Sequence, residues 1–269
     1  MWIQFIISSF VPDEEIGGHD GVEKWVLTDH FKRLRVGFAL DEGLPHPSDQ
    51  TIKLYYGERA PWWMKFKTVG KAGHGSQFIE PCATTRLMRL LNKFVAFRES
   101  EKMRLECGIH LDGTPLTLGD VTSVNITMMS TGLQPNVVPD EAEAVVDMRV
   151  APGMDLNKLE AKIRSWCEEE EASIEFLQQF ACNRTTPLTE DNFVWKCIEI
   201  VASKRNIKIE KEIFPAATDS RYIRQAGIPA LGITPIMNTP VLLHDHDEYL
   251  NEKEFLKGID FYVDLLKLF

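Results

Sequence analysis

The middle of this 269-residue chain, residues 58–182, limits its fold more than any other stretch, because two periodicities alternate there. "PWWMKFKTVG" (61–70) alternates apolar and polar residues, the mark of a half-buried strand. "ATTRLMRLLNKFVAFRESEKMRL" (83–105) reads as a long amphipathic helix. "VTSVNITMMS" and "EAEAVVDMRVA" read as two further strands, joined by a loop holding Gly132, Pro135 and Asn136. "LNKLEAKIRSWCEEE" is helical in pattern, and "SIEFLQQF" closes as a strand. The order β-α-β-β-α-β is that of the split ferredoxin-like unit. An α+β domain is therefore expected at 58–182, inserted into a second domain made from residues 1–57 and 183–269.

The flanking segments have another rhythm. "WIQFIISSF" (2–10), "RVGFALDEG" (35–43) and "IPALGITP" (228–235) are short apolar runs ended by proline, acids or glycine. Such runs suit strands of a parallel-type sheet covered by helices. Helices are expected over residues 14–27, in "DNFVWKCIEIVASKR" (191–205) and in the final "EKEFLKGIDFYVDLLKLF", whose Phe255, Ile259, Tyr262, Leu265 and Leu266 form a stripe. The fold class expected is α/β with an inserted ferredoxin-like domain.

Charge narrows the function. Thirty basic residues against 40 acidic ones give a net charge of −10, the wrong sign for a phosphate-backbone partner. The five cysteines are far apart and form no C-x-x-C pair. Neither a disulfide framework nor a cysteine zinc site is indicated, and a reducing, cytoplasmic setting is expected. The apolar opening is too short to span a bilayer and lacks a leading basic residue, so no membrane association is expected.

In an open parallel sheet, ligands bind beyond the carboxyl ends of the strands. Asp13, Glu14 and Glu15 are expected at one such end, and Asp41 and Glu42 at another. "TPVLLHDHDEYL" places His244 and His246 among acids just before the last helix. Carboxylates and imidazole meeting in one crevice suit a zinc-type cation. A glutamate beside such a metal could act as a general base. Taken singly, the acid pairs also read as solvated turns, and "HDHDE" as a helix-capping turn.

Six motifs in order, "FVPDEEIGGHDG", "GFALDEG", "ERAPWWMKFKTVGKAGHGS", "LQPNVVPDEAEAVVDMRVAP", "PAATDSRYIR" and "TPVLLHDHDEYL", resemble the dinuclear zinc family of aminoacylases, carboxypeptidase G, carnosine dipeptidases and succinyl-diaminopimelate desuccinylase. The resemblance implies an inserted domain that dimerises and two zinc ions per complete site. It implies Glu14 as general base, Glu15 and His244 as ligands of one zinc and Glu42 as a ligand of the other. It implies that His74 reaches into a second subunit's site to hold an oxyanion. By the same resemblance Asn136 is a lid residue, and Arg149 and Arg221 lie near the substrate, where a guanidinium fork suits a carboxylate. Asp245, His246 and Asp247 are expected as loop or supporting residues.

The family also carries, upstream of the glutamate pair, a strand ending in H-x-D and then an aspartate that bridges the two metals. Residues 1–9 hold neither histidine nor acid, and His19, Asp20 and His30 follow the glutamates. The chain is therefore expected to be N-terminally truncated relative to the family, with zinc reduced or absent. The function expected is hydrolysis of N-acyl-L-amino acids by the family, with these residues alone inactive. Trp62 and Trp63, with "PAATDSRY" and "LLHDHDE", favour the aminoacylase branch over a dipeptidase or carboxypeptidase. The alternative from another class is a non-catalytic short form that acts as a dimerisation partner.

Overall fold

The structure is a computed structural model that describes residues 5–269. The chain forms two compact units, one from the segments up to Glu58 and from Arg184 to Phe269, the other from Arg59 to Asn183. Elements are numbered along the chain.

The first unit holds the helices Val22–Trp25 (α1) and Asp29–Leu34 (α2) and the strands Ala39–Asp41 (β1) and Thr51–Glu58 (β2). It resumes with Phe193–Lys204 (α5), Lys208–Phe214 (β9), Ser220–Gln225 (α6), Ala230–Ile233 (β10) and Glu252–Leu266 (α7). Its sheet runs β1-β10-β2-β9. β1 lies parallel to β10 and β2 parallel to β9, but β10 and β2 are antiparallel, so the sheet is mixed. Ile52 and Leu54 of β2 and Leu231 and Ile233 of β10 are buried with Trp195, Ile198 and Val201 of α5 and with Phe261 and Leu265 of α7. Asn192 caps α5 by accepting the Trp195 N–H at 3.1 Å, and Asn251 caps α7 through the Lys253 N–H at 2.9 Å.

Two expectations fail here. Of the opening strand, residues 2–4 lie outside the described residues, and residues 5–10 carry no regular structure. Phe5 is 82% exposed and Phe10 95%, so this apolar run is not a buried strand, and none of the strand pairs among the described residues includes it. The helix over 14–27 is broken. Only a 3₁₀ turn, Glu14–Ile16, and α1 form, because Gly17 (φ +112°) and Gly18 (φ +67°) turn the backbone into conformations closed to a continuing helix.

The second unit contains Ala60–Val69 (β3), Gly73–His74 (β4), Ala83–Cys107 (α3), Ser123–Thr131 (β5), Val137–Val138 (β6), Glu141–Val150 (β7), Leu156–Glu169 (α4) and Ser173–Gln179 (β8). Its main sheet runs β5-β7-β3-β8, with every pair antiparallel, as the ferredoxin-like order requires. Trp62, Met64 and Phe66 of β3 and Ala144, Val146 and Met148 of β7 are buried with Leu87, Leu90, Leu91 and Phe94 of α3 and with Leu159 and Ile163 of α4. The alternate residues Trp63, Lys65 and Lys67 are not buried, a period of two that ties sequence to face. β4 and β6 form a separate two-stranded ribbon. Among the described residues no helix is long and apolar enough to cross a membrane.

Candidate active site

In the first unit three segments carry the carboxylates. The first is the Glu14–Ile16 turn. The Gly17 N–H closes it on the Glu14 carbonyl at 2.9 Å, and the Gly18 N–H bonds the Asp13 carbonyl at 2.8 Å. Asp13 also receives the Asp20 N–H on Oδ2 at 2.7 Å. The second is the end of β1, where Asp41 and Glu42 leave the sheet. The third is the start of α6, where Asp219 is 7% exposed and neither of its carboxylate oxygens has a hydrogen-bond partner. α6 also reaches the second segment, since Ser220 donates its N–H (2.9 Å) and its hydroxyl (2.7 Å) to Asp41 Oδ2.

The charges act on one another. Glu14 is held above its ordinary value by burial and then by Asp219, Glu15 and Asp41, with Arg221 pulling it down. Glu42 remains solvent-reachable. Even so, the protein around its carboxyl, followed by the charges of Glu14, Asp41, Glu15 and Asp219, pushes it up to about 7. Burial raises Asp219 to about 6 against the pull of Arg221, with Asp41 and Asp13 adding to the rise. Glu14, Glu15 and Glu42 thus lie within electrostatic reach of one another. His244, in an exposed loop, places Nε2 3.7 Å from Glu15 Oε2. Asp245, His246 and Asp247 lie in the same exposed loop.

This negative charge attracts a cation, but the donor set stops short of a metal centre. A catalytic zinc takes three protein ligands and an open position. Among the described residues no group of three or more His, Cys, Asp or Glu side chains is spaced to hold a metal ion. Glu15 and His244 approach as a pair, and Glu42 does not complete a triad with them. The residues present therefore do not fit a zinc site by themselves.

Arg221 is not the surface charge that a short helix would suggest. It is 5% exposed, it donates from Nη2 to the Gly17 carbonyl at 2.5 Å, and its guanidinium lies 4.6 Å over the Tyr222 ring. The Tyr222 hydroxyl donates to the same carbonyl at 2.6 Å. Sequence reasoning did not assign roles to Asp219 and Tyr222. Their signal was only position, flanking Arg221 in "TDSRY".

In the second unit His74 and Asn136 are brought together. His74 pairs with Val137 across the β4–β6 ribbon, and the Gly75 N–H bonds the Asn136 carbonyl at 2.8 Å. Both side chains are exposed, with His74 Nδ1 2.8 Å from Ser76 Oγ. Arg149 sits on β7, where its Nε and Nη2 fork onto Asp147 at 2.8 and 3.1 Å and its guanidinium lies 5.9 Å from the Trp63 ring.

Residues 56–175 match the peptidase dimerisation domain family. The chain is 47% identical to aminoacylase-1A of Rattus norvegicus over 260 residues, which is 96% of this chain and 62% of that protein. It is 46% identical to aminoacylase-1 of Dictyostelium discoideum over 267 residues, 96% of this chain and 65% of that one. The chain thus spans less than two thirds of the length of these relatives. Among solved structures, an M20 family metallo-carboxypeptidase from Sulfolobus solfataricus superposes with a TM-score of 0.68 at 16% identity, covering 95% of this chain and 68% of the other. Aminopeptidase PepT from Bacillus cereus gives 0.66 at 16% identity, covering 96% and 62%. At that identity the likeness concerns the fold.

Proposed function

We propose that this chain, a relative of the aminoacylase-1 proteins along 96% of its length, carries part of an amidohydrolase site for N-acyl-L-amino acids and is inactive on its own. The observation that carries the first half is the 47% identity to aminoacylase-1A along 96% of this chain. The second half rests on the lack, among the described residues, of a three-ligand group.

In this reading Glu14 is the proton carrier. A carboxylate held above its usual range accepts a proton from attacking water and returns it to the leaving amine more readily than an ordinary one. Glu15, Glu42 and His244 are the residues offered to zinc, and further ligands must come from outside these residues. His74 serves the oxyanion in a second copy's site, and Asn136 is the lid residue. Arg149 and Arg221 are assigned to the substrate, where a guanidinium fork suits a carboxylate. The setting proposed is cytoplasmic, and the assembly a homodimer through residues 58–182.

The test is hydrolysis of N-acetyl-L-methionine by the purified chain, with bound zinc measured on the same sample. The expected result is no turnover and less than one zinc per chain. Turnover abolished by Glu14→Gln would overturn the inactive half and keep the site. A second reading, a non-catalytic dimerisation partner, is favoured by the dimerisation-domain match on a complete ferredoxin-like sheet. Light scattering that finds a dimer without zinc would support it.

A further inference from the structure

We infer that helix α6 is a strut that sets the two glutamate-bearing segments in register, with Tyr222 and Ser220 as its positioning residues. The Gly17 carbonyl is the far end of one tie. It accepts from the Tyr222 hydroxyl at 2.6 Å and from Arg221 Nη2 at 2.5 Å, and these two donors are themselves 3.2 Å apart. Gly17 also caps the Glu14–Ile16 turn through its N–H, so the peptides on its two sides link the glutamates to α6.

The tie has a mechanical reason. Gly17 and Gly18 both have positive φ, where glycine has little preference of its own, so an external contact must choose the conformation. Tyr222 supplies it from a site 1% exposed, with its ring edge against Gly18. The second tie is Ser220, whose N–H and hydroxyl both reach Asp41 Oδ2 beside Glu42. One six-residue helix thus grips both segments through residues two positions apart, and the spacing of Glu14 and Glu15 from Glu42 depends on it. This assignment deepens the proposed hydrolytic reading, but its geometry does not depend on that reading being right.

Two variants separate the ties. Tyr222→Phe keeps the ring and removes the hydroxyl. Ser220→Ala removes only the side-chain bond. The readouts are amide hydrogen exchange of the whole chain, without added metal, and the carboxyl ¹³C resonances of glutamate-labelled protein. A net contribution of about 1 kcal/mol per hydrogen bond corresponds to about five-fold faster exchange. Tyr222→Phe is expected to give that rise at residues 14–18 and to move the Glu14 and Glu15 carboxyl resonances, leaving Glu58 and helix α5 unchanged. Ser220→Ala is expected to act at residues 40–43 and on Glu42. An equal rise throughout the first unit would make Tyr222 a general core residue and overturn the inference, as would no change at residues 14–18. Neither readout needs turnover, so loss of the hydrolytic reading and loss of the strut are separate results.

Discussion

Replacing Arg224 by methionine tests how the first unit tolerates a lone buried charge. Arg224 and Glu58 are both nearly inaccessible, with Nη1 2.7 Å from Glu58 Oε1. The guanidinium also donates to the Ala230 carbonyl from Nε and Nη2 at 3.2 and 3.0 Å, and the Thr218 N–H meets Glu58 Oε2 at 2.5 Å. Arg224→Met leaves the Glu58 carboxylate buried with the Thr218 bond alone. Breaking a buried pair from one side costs about 3–5 kcal/mol, a large share of a typical stability of about 5–15 kcal/mol. Protonation offers an escape. Burial already pushes Glu58 from its ordinary 4.5 up to about 7, while Arg224 and the Thr218 N–H hold it down. Without Arg224 the folded value rises further. A carboxyl raised in the folded state contributes stability that is complete below its unfolded value and is lost as pH rises through the folded one. The deficit of Arg224→Met should therefore be small near pH 5, grow as pH rises above about 7 and reach its full size only above the variant's own, higher folded value. Urea unfolding, followed by amide exchange in the β2–β9 pair, reads this unit alone. A loss that stays under about 1 kcal/mol above that value, far below the expected cost, or one independent of pH, would refute the reasoning.

Gly18→Ala places a methyl at φ +67° with its carbon 2.2 Å from Asp219 Oδ1. It should destabilise the first unit by about 2 kcal/mol, from left-handed strain together with the displaced carboxylate, read as a lower urea midpoint. Glu42 at about 7 and Asp219 at about 6 both lie above their ordinary values. By the same sign rule, the metal-free chain should be most thermally stable below pH 4 to 5 with respect to these groups and lose that contribution up to about pH 7. Glu42→Gln and Asp219→Asn should each flatten the profile, as melting curves across pH will show.

How much of this was legible beforehand follows from what each segment spends its residues on. In β3 and β7 the two faces meet different surroundings, so burial alternates along the chain and the period of two is written in the residues. α3 and α4 write a period near 3.6 in the same way. β2 and β9 escaped notice for the opposite reason. In β2, Thr51, Ile52, Leu54 and Tyr55 are all buried, so no alternation survives. In β9, "KIEKEIF" looks like a solvated surface until Lys53 of β2 is found 3.0 Å from Glu212. The opening run misled because apolar composition was taken for burial, and residues 5–10 are exposed.

The site divides along the same line. Its acid pairs were legible because they fall where one crevice at the strand ends would collect them, although each pair alone reads as a solvated turn. What holds them was not, since a sequence does not show that Ser220, Arg221, Tyr222, Ile223 and Arg224 are all buried in one short helix. With only its last residue, Gln225, exposed, α6 shows no amphipathic period, and the polar atoms of its buried residues must find partners inside. Those partners are the Gly17 carbonyl, Asp41, Glu58 and the Ala230 carbonyl. Asp219 is the exception, a carboxylate taken out of water without a hydrogen-bond donor. A short polar segment buried over five of its six residues is therefore where sequence patterning is least informative and where the carboxylate geometry is set.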